Sequence, residues 1–98
     1  MVLSDRDIKR YLKEGKIKIT PEPDLSKQLG SCSVDLRLSN VFRVFEHSKY
    51  SYIDLDSDID LNEFMRKVEV KEGGAFTMQP GEFVLAATME TLELADDI

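Results

Sequence analysis

A mainly β fold with one α-helix at its N-terminal end is what this sequence predicts, and three observations carry the prediction. Apolar and polar residues alternate at a period of two over residues 33–38 and again around Val68 and Val70. β-Formers crowd 41–45, and a nearly unbroken apolar run fills 83–87, with the turn pairs Gly73-Gly74 and Pro80-Gly81 between them. Sustained helical periodicity occurs only over 5–14.

The helix is expected to start after Ser4, whose hydroxyl can accept from first-turn amides, with Asp7 as a short stand-in for the Glu or Gln of a capping box. Ile8, Tyr11 and Leu12 share one face, Arg6, Lys9, Arg10 and Lys13 lie mostly outside it, and Gly15 supplies a left-handed cap. Ile17 and Ile19, alternating with Lys16 and Lys18, predict a short half-buried strand closed by Pro21 and Pro23, and 21–31 reads as a loop. Val34, Leu36 and Leu38 alternate with Ser33, Asp35 and Arg37, which predicts a strand with one face in a core.

Ser39-Asn40 then reads as a tight turn into a strand at 41–45, and the pattern repeats from Tyr50 to Leu55 after a polar stretch around His47 and Ser48. Residues 61–66 have the form of a short helical turn or an irregular connection. Phe76 to Met78 begins an extended piece that ends at Pro80-Gly81, and 83–87 predicts a central strand covered on both faces. Short strands separated by turn signals point to a sandwich or barrel. One domain is expected, because 98 residues lie near the size at which burial only just offsets chain entropy.

Composition narrows the function classes. Hydrophobic content of 42% with 33% charged residues fits an ordinary globular protein. The formal charge of -6 is uneven, with six Lys/Arg against three acids in residues 1–19 and five acids without a base in 82–98. An acidic balance argues against non-specific nucleic-acid binding, which depends on neutralising phosphates. There is no apolar run of membrane-spanning length and no signal-peptide core at the start, so a cytoplasmic protein with no nucleic-acid or membrane partner is expected. Cys32 and His47 are the only residues of their kinds, which excludes an intramolecular disulfide, a Cys-His or Ser-His-acid centre and a multi-histidine zinc site within one copy.

The remaining candidates are weighed against plainer readings. Asp54, Asp56, Asp58 and Asp60 alternate like calcium-loop ligands, but counting from Asp54 puts Ile59 at the glycine position and Met65 at the bidentate Glu position. Counting from Asp56 puts Leu61 and Lys67 there, so a solvated acidic loop is favoured. Asp35 beside Arg37 is read as a solvent-facing position on the pleat. Glu90, Glu93, Asp96 and Asp97 are read as the exposed flank of a strand end rather than a carboxylate pair for acid-base work. Gly73-Gly74 lacks the spacing of a phosphate loop, and Phe42, Phe45, Phe76 and Phe83 are read as core.

A series of segments in register carries a family resemblance. Met-Val-Leu-Ser-Asp-Arg-Asp-Ile at 1–8 resembles the opening of dCTP deaminases, and Gly15 to Ile19 follows it as their next strand does. Ser33-Val34-Asp35-Leu36-Arg37-Leu38 resembles their Val-Asp-apolar-Arg-Leu strand, and Tyr52-Ile53-Asp54-Leu55 follows. Phe76 to Ala86, with Pro80-Gly81-Glu82 at its centre, resembles their Pro-Gly-Glu strand and its extension through Thr88-Met89-Glu90.

The resemblance implies a distorted β-barrel of the dUTPase-like type, present here in part, and a homotrimer with nucleotide sites between subunits. It implies conversion of dCTP to dUTP with release of ammonia, and onward to dUMP in some members. A Glu would move protons for an activated water, and Mg2+ would accompany the nucleotide triphosphate, unlike the zinc chemistry of other deaminases. The family's Gly-Arg-Ser-Ser-Leu-Ala-Arg segment and the strand bearing its catalytic Glu would follow Leu94 to Ile98 and are not within these residues. No catalytic, nucleotide-binding or metal-ligating residue therefore carries over, and the chain is expected to be inactive alone, an N-terminal portion whose unpaired strand edges favour association. The alternatives are a non-catalytic interaction or regulatory module on the same scaffold, and part of a dUTP pyrophosphatase.

Overall fold

The computed structural model describes residues 2–49, 52–58 and 60–98, and the chain divides into two units, one running to Leu38 and resuming over Thr88–Ile98, the other spanning Ser39–Ala87. In the first unit, helix α1 (Asp5–Glu14) begins where the Ser4 hydroxyl accepts from the Asp7 amide at 3.3 Å and ends at Gly15, whose φ of 81° suits a residue without a Cβ. Strand β1 (Ile17–Thr20) pairs antiparallel with β5 (Thr91–Leu94), with Ile17 opposite Leu94 and Thr20 opposite Thr91. Ile8, Ile17 and Ile19 are buried while Lys18 stays exposed, so the period-two and helical patterns meet in one small core.

In the second unit, β2 (Leu38–Phe45), α3 (Leu61–Phe64), β3 (Met65–Glu69) and β4 (Val84–Thr88) follow in chain order, and the sheet order is β3-β2-β4. β2 and β3 are antiparallel, with Val41 opposite Glu69 and Phe45 opposite Met65. Phe42, Val44 and Phe64 are buried, and the Phe42 ring stacks on Phe76 with centroids 4.4 Å apart. The protein is mainly β with an N-terminal helix, and among the described residues its strands form two separate sheets rather than a closed barrel.

Several local expectations are corrected, each by a competing hydrogen bond or a missing partner. The stretch 21–31 contains a short helix, α2 (Leu25–Gln28), because Asp24 caps it by accepting from the Ser26 amide. The strand expected over 33–38 does not form: Val34 makes an isolated bridge to Leu29, and regular strand begins only at Leu38. Ser39-Asn40 is not a turn but part of continuous β2, where the Asn40 carbonyl accepts from the Val70 amide. Of the strand-like span from Tyr50 to Leu55, residues 50 and 51 lie outside the described residues, and the rest is a loop turned by the Asp54 side chain. The piece from Phe76 to Met78 joins no strand.

The largest correction concerns 83–87. β4 is an edge strand, and Phe83 and Leu85 remain 52% and 44% exposed, so nothing described here covers both faces. No helix among the described residues is long and apolar enough to cross a membrane.

Phe42→Ala is expected to lower the unfolding free energy by about 3 kcal/mol, because it removes both a buried side chain and a stacked ring. Gly15→Ala is expected to cost about 1 kcal/mol by forcing a Cβ into the left-handed region. Urea denaturation of each variant beside the parent chain checks both.

Candidate functional site

The densest polar arrangement lies in the first unit, where a turn and a strand reversal meet. After α2 the chain folds back, with the Gly30 amide donating to the Ser33 carbonyl at 2.8 Å. The returning segment is locked to Gln28 twice: the Asp35 amide donates to the Gln28 carbonyl at 2.7 Å, and Gln28 Nε2 donates to the Asp35 carbonyl at 2.9 Å. Gln28 Oε1 accepts from the Asp24 amide at 2.9 Å. From the other side, the Met89 amide donates to the Arg37 carbonyl at 2.8 Å, and Thr88 Oγ1 donates to the Glu90 carbonyl at 2.8 Å. Glu90 is thereby turned inward.

The Glu90 side chain has no exposed surface, and both of its oxygens are engaged. Oε2 accepts from the Arg37 amide at 2.9 Å, while Oε1 accepts from Arg37 Nε at 2.8 Å and from Gln28 Nε2 at 3.3 Å. A charge taken out of water needs this kind of saturation, because one left unpaired costs far more than the pair gains. The Arg37 side-chain hydrogen bond holds the Glu90 carboxyl below its ordinary value of 4.5, against desolvation, which pushes it upward. The Arg37 backbone donor adds to the lowering.

This chemistry is that of a fastener. A general base needs a free lone pair within reach of a substrate proton, and Glu90 offers neither solvent access nor an uncommitted oxygen. A second tie lies at the surface, where Lys16 Nζ donates to Asp97 Oδ2 at 2.6 Å. That hydrogen bond lowers the Asp97 carboxyl and raises the Lys16 ammonium.

The reading of Glu90 as an exposed strand flank is therefore overturned, whereas Glu93, Asp96 and Asp97 are exposed as that reading had them. Asp35 points its side chain to solvent and contributes its backbone. In the acidic loop, Asp54 Oδ1 accepts from the Asp56 amide at 3.0 Å and Asp60 Oδ1 from the Asn62 amide at 3.0 Å, so these acids serve their own turns. Among the described residues no three His, Cys, Asp or Glu side chains gather to hold a metal ion. Cys32 is exposed in the turn after α2, and His47 is an exposed ring packed edge-on against Phe45. Gln28 and Glu90 were not identified from sequence as partners. The only signal is an acid following the apolar run at 83–87 and an Arg within the alternating segment 33–38, 53 residues apart.

A family model described as dCTP deaminase-like matches residues 2–98. A dCTP deaminase of Thermomicrobium roseum is 57% identical over 98 residues, covering 100% of this chain and 50% of that protein. A dUMP-forming dCTP deaminase of Dictyoglomus thermophilum is 50% identical over 98 residues, again with 100% of this chain and 50% of the relative covered. One of Methanobrevibacter smithii is 44% identical over 97 residues, with 99% and 50% covered. The chain spans about half the length of the curated relatives it matches.

Because the folded-state value of Glu90 is depressed, its contribution to stability is present above the ordinary 4.5 and is lost as pH falls through the lower folded value. The urea midpoint of the parent chain is expected to fall on acidification through that range. Arg37→Ala is expected to lower the midpoint at neutral pH and to flatten its acid limb, since the buried carboxylate then loses its partner. A midpoint-versus-pH profile parallel to the parent's would show that the pair is not linked to folding.

Proposed function

The chain belongs to the dCTP deaminase-like family, and on that premise we propose that it supplies the N-terminal half of an enzyme that hydrolyses dCTP. Water adds at C4 of the cytosine ring, the 4-amino group leaves as ammonia, and dUTP results. The observation that carries this reading is similarity running through the whole of this chain, at 57% identity to the Thermomicrobium roseum dCTP deaminase.

In this reading residues 1–98 are scaffold. Glu90, Arg37 and Gln28 hold the end of the first unit in place, and in this reading their hydrogen bonds serve the scaffold and not the reaction. The proton-moving Glu and the Arg-Ser-Ser segment belong to the other half of the enzyme, and Mg2+ enters with the triphosphate. The enzyme works in the cytoplasm as a homo-oligomer, a trimer by family resemblance, whose subunits cover strand edges that a single half leaves open. Two of the three relatives named above are called dUMP-forming, which makes dUMP a second product to look for.

A chimera joining residues 1–98 to the unmatched half of the Thermomicrobium roseum protein is expected to release ammonia from dCTP in the presence of Mg2+. The 98-residue chain alone is expected to release none. A folded but inactive chimera would argue for the non-catalytic module instead, and activity in the short chain would return Asp35 and the other carboxylates to consideration. Chromatography of the nucleotide products separates dUTP from dUMP.

A further inference from the structure

We infer that an acidic loop of one copy of this chain docks into a lysine-rimmed groove on the first unit of a second copy, an inference that rests on the proposal that the protein is a homo-oligomer. The groove, about 550 Å³, lies between α1, β1 and the segment from Thr20 to Leu25. Leu12, Ile19 and Leu25 give it an apolar floor, and Lys9, Lys13 and Lys18 line it against the single acid Glu22. Lys9 and Lys13 stand one turn apart on α1, and neither has an ion-pair partner among the described residues. Among the described residues Lys18 reaches only Glu93, at 3.5 Å on the exposed surface. A cationic, apolar groove in a chain of net charge -6 fits an occupant that combines negative charge with an apolar side chain.

The chain itself carries such an occupant. Around Asp54 the backbone closes a tight turn: Asp54 Oδ1 accepts from the Asp56 amide at 3.0 Å, and the Asp54 carbonyl accepts from Ser57 Oγ at 2.9 Å. The turn displays Leu55, which is 94% exposed, between Asp54 and Asp56, with Asp58 just beyond. None of these three carboxylates is paired with a Lys or Arg among the described residues. An isolated leucine on water is ordinary, but one fixed at the tip of an acidic turn has the form of a knob with a charged collar. Leu55 meets the apolar floor while Asp56 and Asp58 face Lys9 and Lys13, so apolar burial and charge complementarity act at the same contact. The contact is head-to-tail, so it repeats from copy to copy and closes into a ring where the rotation between copies permits.

Sedimentation velocity of the 98-residue chain over a concentration series tests the assignment, with far-UV circular dichroism confirming that each variant folds. The parent is expected to gain mass with concentration, and less so at high salt. Lys9→Glu with Lys13→Glu, or Asp56→Lys with Asp58→Lys, is expected to weaken association by about tenfold or more, and all four together to restore it to within about threefold of the parent. Leu55→Ser is expected to weaken association while leaving its salt dependence in place. Unchanged association in both half-swaps, or failure of the fourfold swap to restore it, overturns this docking while leaving the homo-oligomer proposal standing on another surface. A parent that stays monomeric at every concentration overturns this docking as well, and the deaminase proposal is untouched by either result.

Discussion

One carboxylate with no exposed side-chain surface constrains the first unit. A buried Glu must be ionised and well hydrogen-bonded or neutral, and Glu90 takes three donors from two residues that lie 62 and 53 positions before it in sequence. One of the three is the Arg37 backbone amide, so the segment before β2 directs its polar groups to Glu90 and Gln28 and forms no regular ladder. The interruption of a well-patterned strand and the inward turn of Glu90 are therefore the same event. The Met89 amide on the Arg37 carbonyl completes it, so the chain leaving β4 is held beside the chain entering β2.

That constraint also sets what the Glu90 carboxylate can do. The chain's most protected acid is committed to donors, and its exposed acids are spread over turns and strand ends, where Asp54 and Asp60 cap backbone amides and Asp97 meets a lysine. Proton transfer needs a positioned group with a free lone pair and access to substrate. The described residues engage both oxygens of Glu90 and shield its side chain from solvent.

The sheet edges point the same way. β4 places Leu85, with Phe83 just before the strand, at the border of a three-stranded sheet, and β5 has a partner on one side only. Apolar strands that end at open edges are normally paired or covered. The run over 83–87 has the composition of a covered strand and is not covered by the residues described, which is consistent with a chain spanning about half the length of its relatives.

Sequence alone determined the elements whose signals are local. Ser4, the apolar face of Ile8, Tyr11 and Leu12, and Gly15 specify α1 to the residue, because caps and helical periodicity act within a few positions. The alternation of Ile17 and Ile19 specifies the buried face of β1, and motif order named the family that the comparisons show. Tertiary structure decided what depends on partners distant along the chain: that 33–38 bonds to a glutamine and a glutamate instead of a strand, that Ser39-Asn40 continues β2, and that Glu90 turns inward. Periodicity reports which face of a segment is apolar, whereas the choice between a ladder, a cap and a buried ion pair is made by whichever donor or acceptor the fold brings within hydrogen-bonding distance.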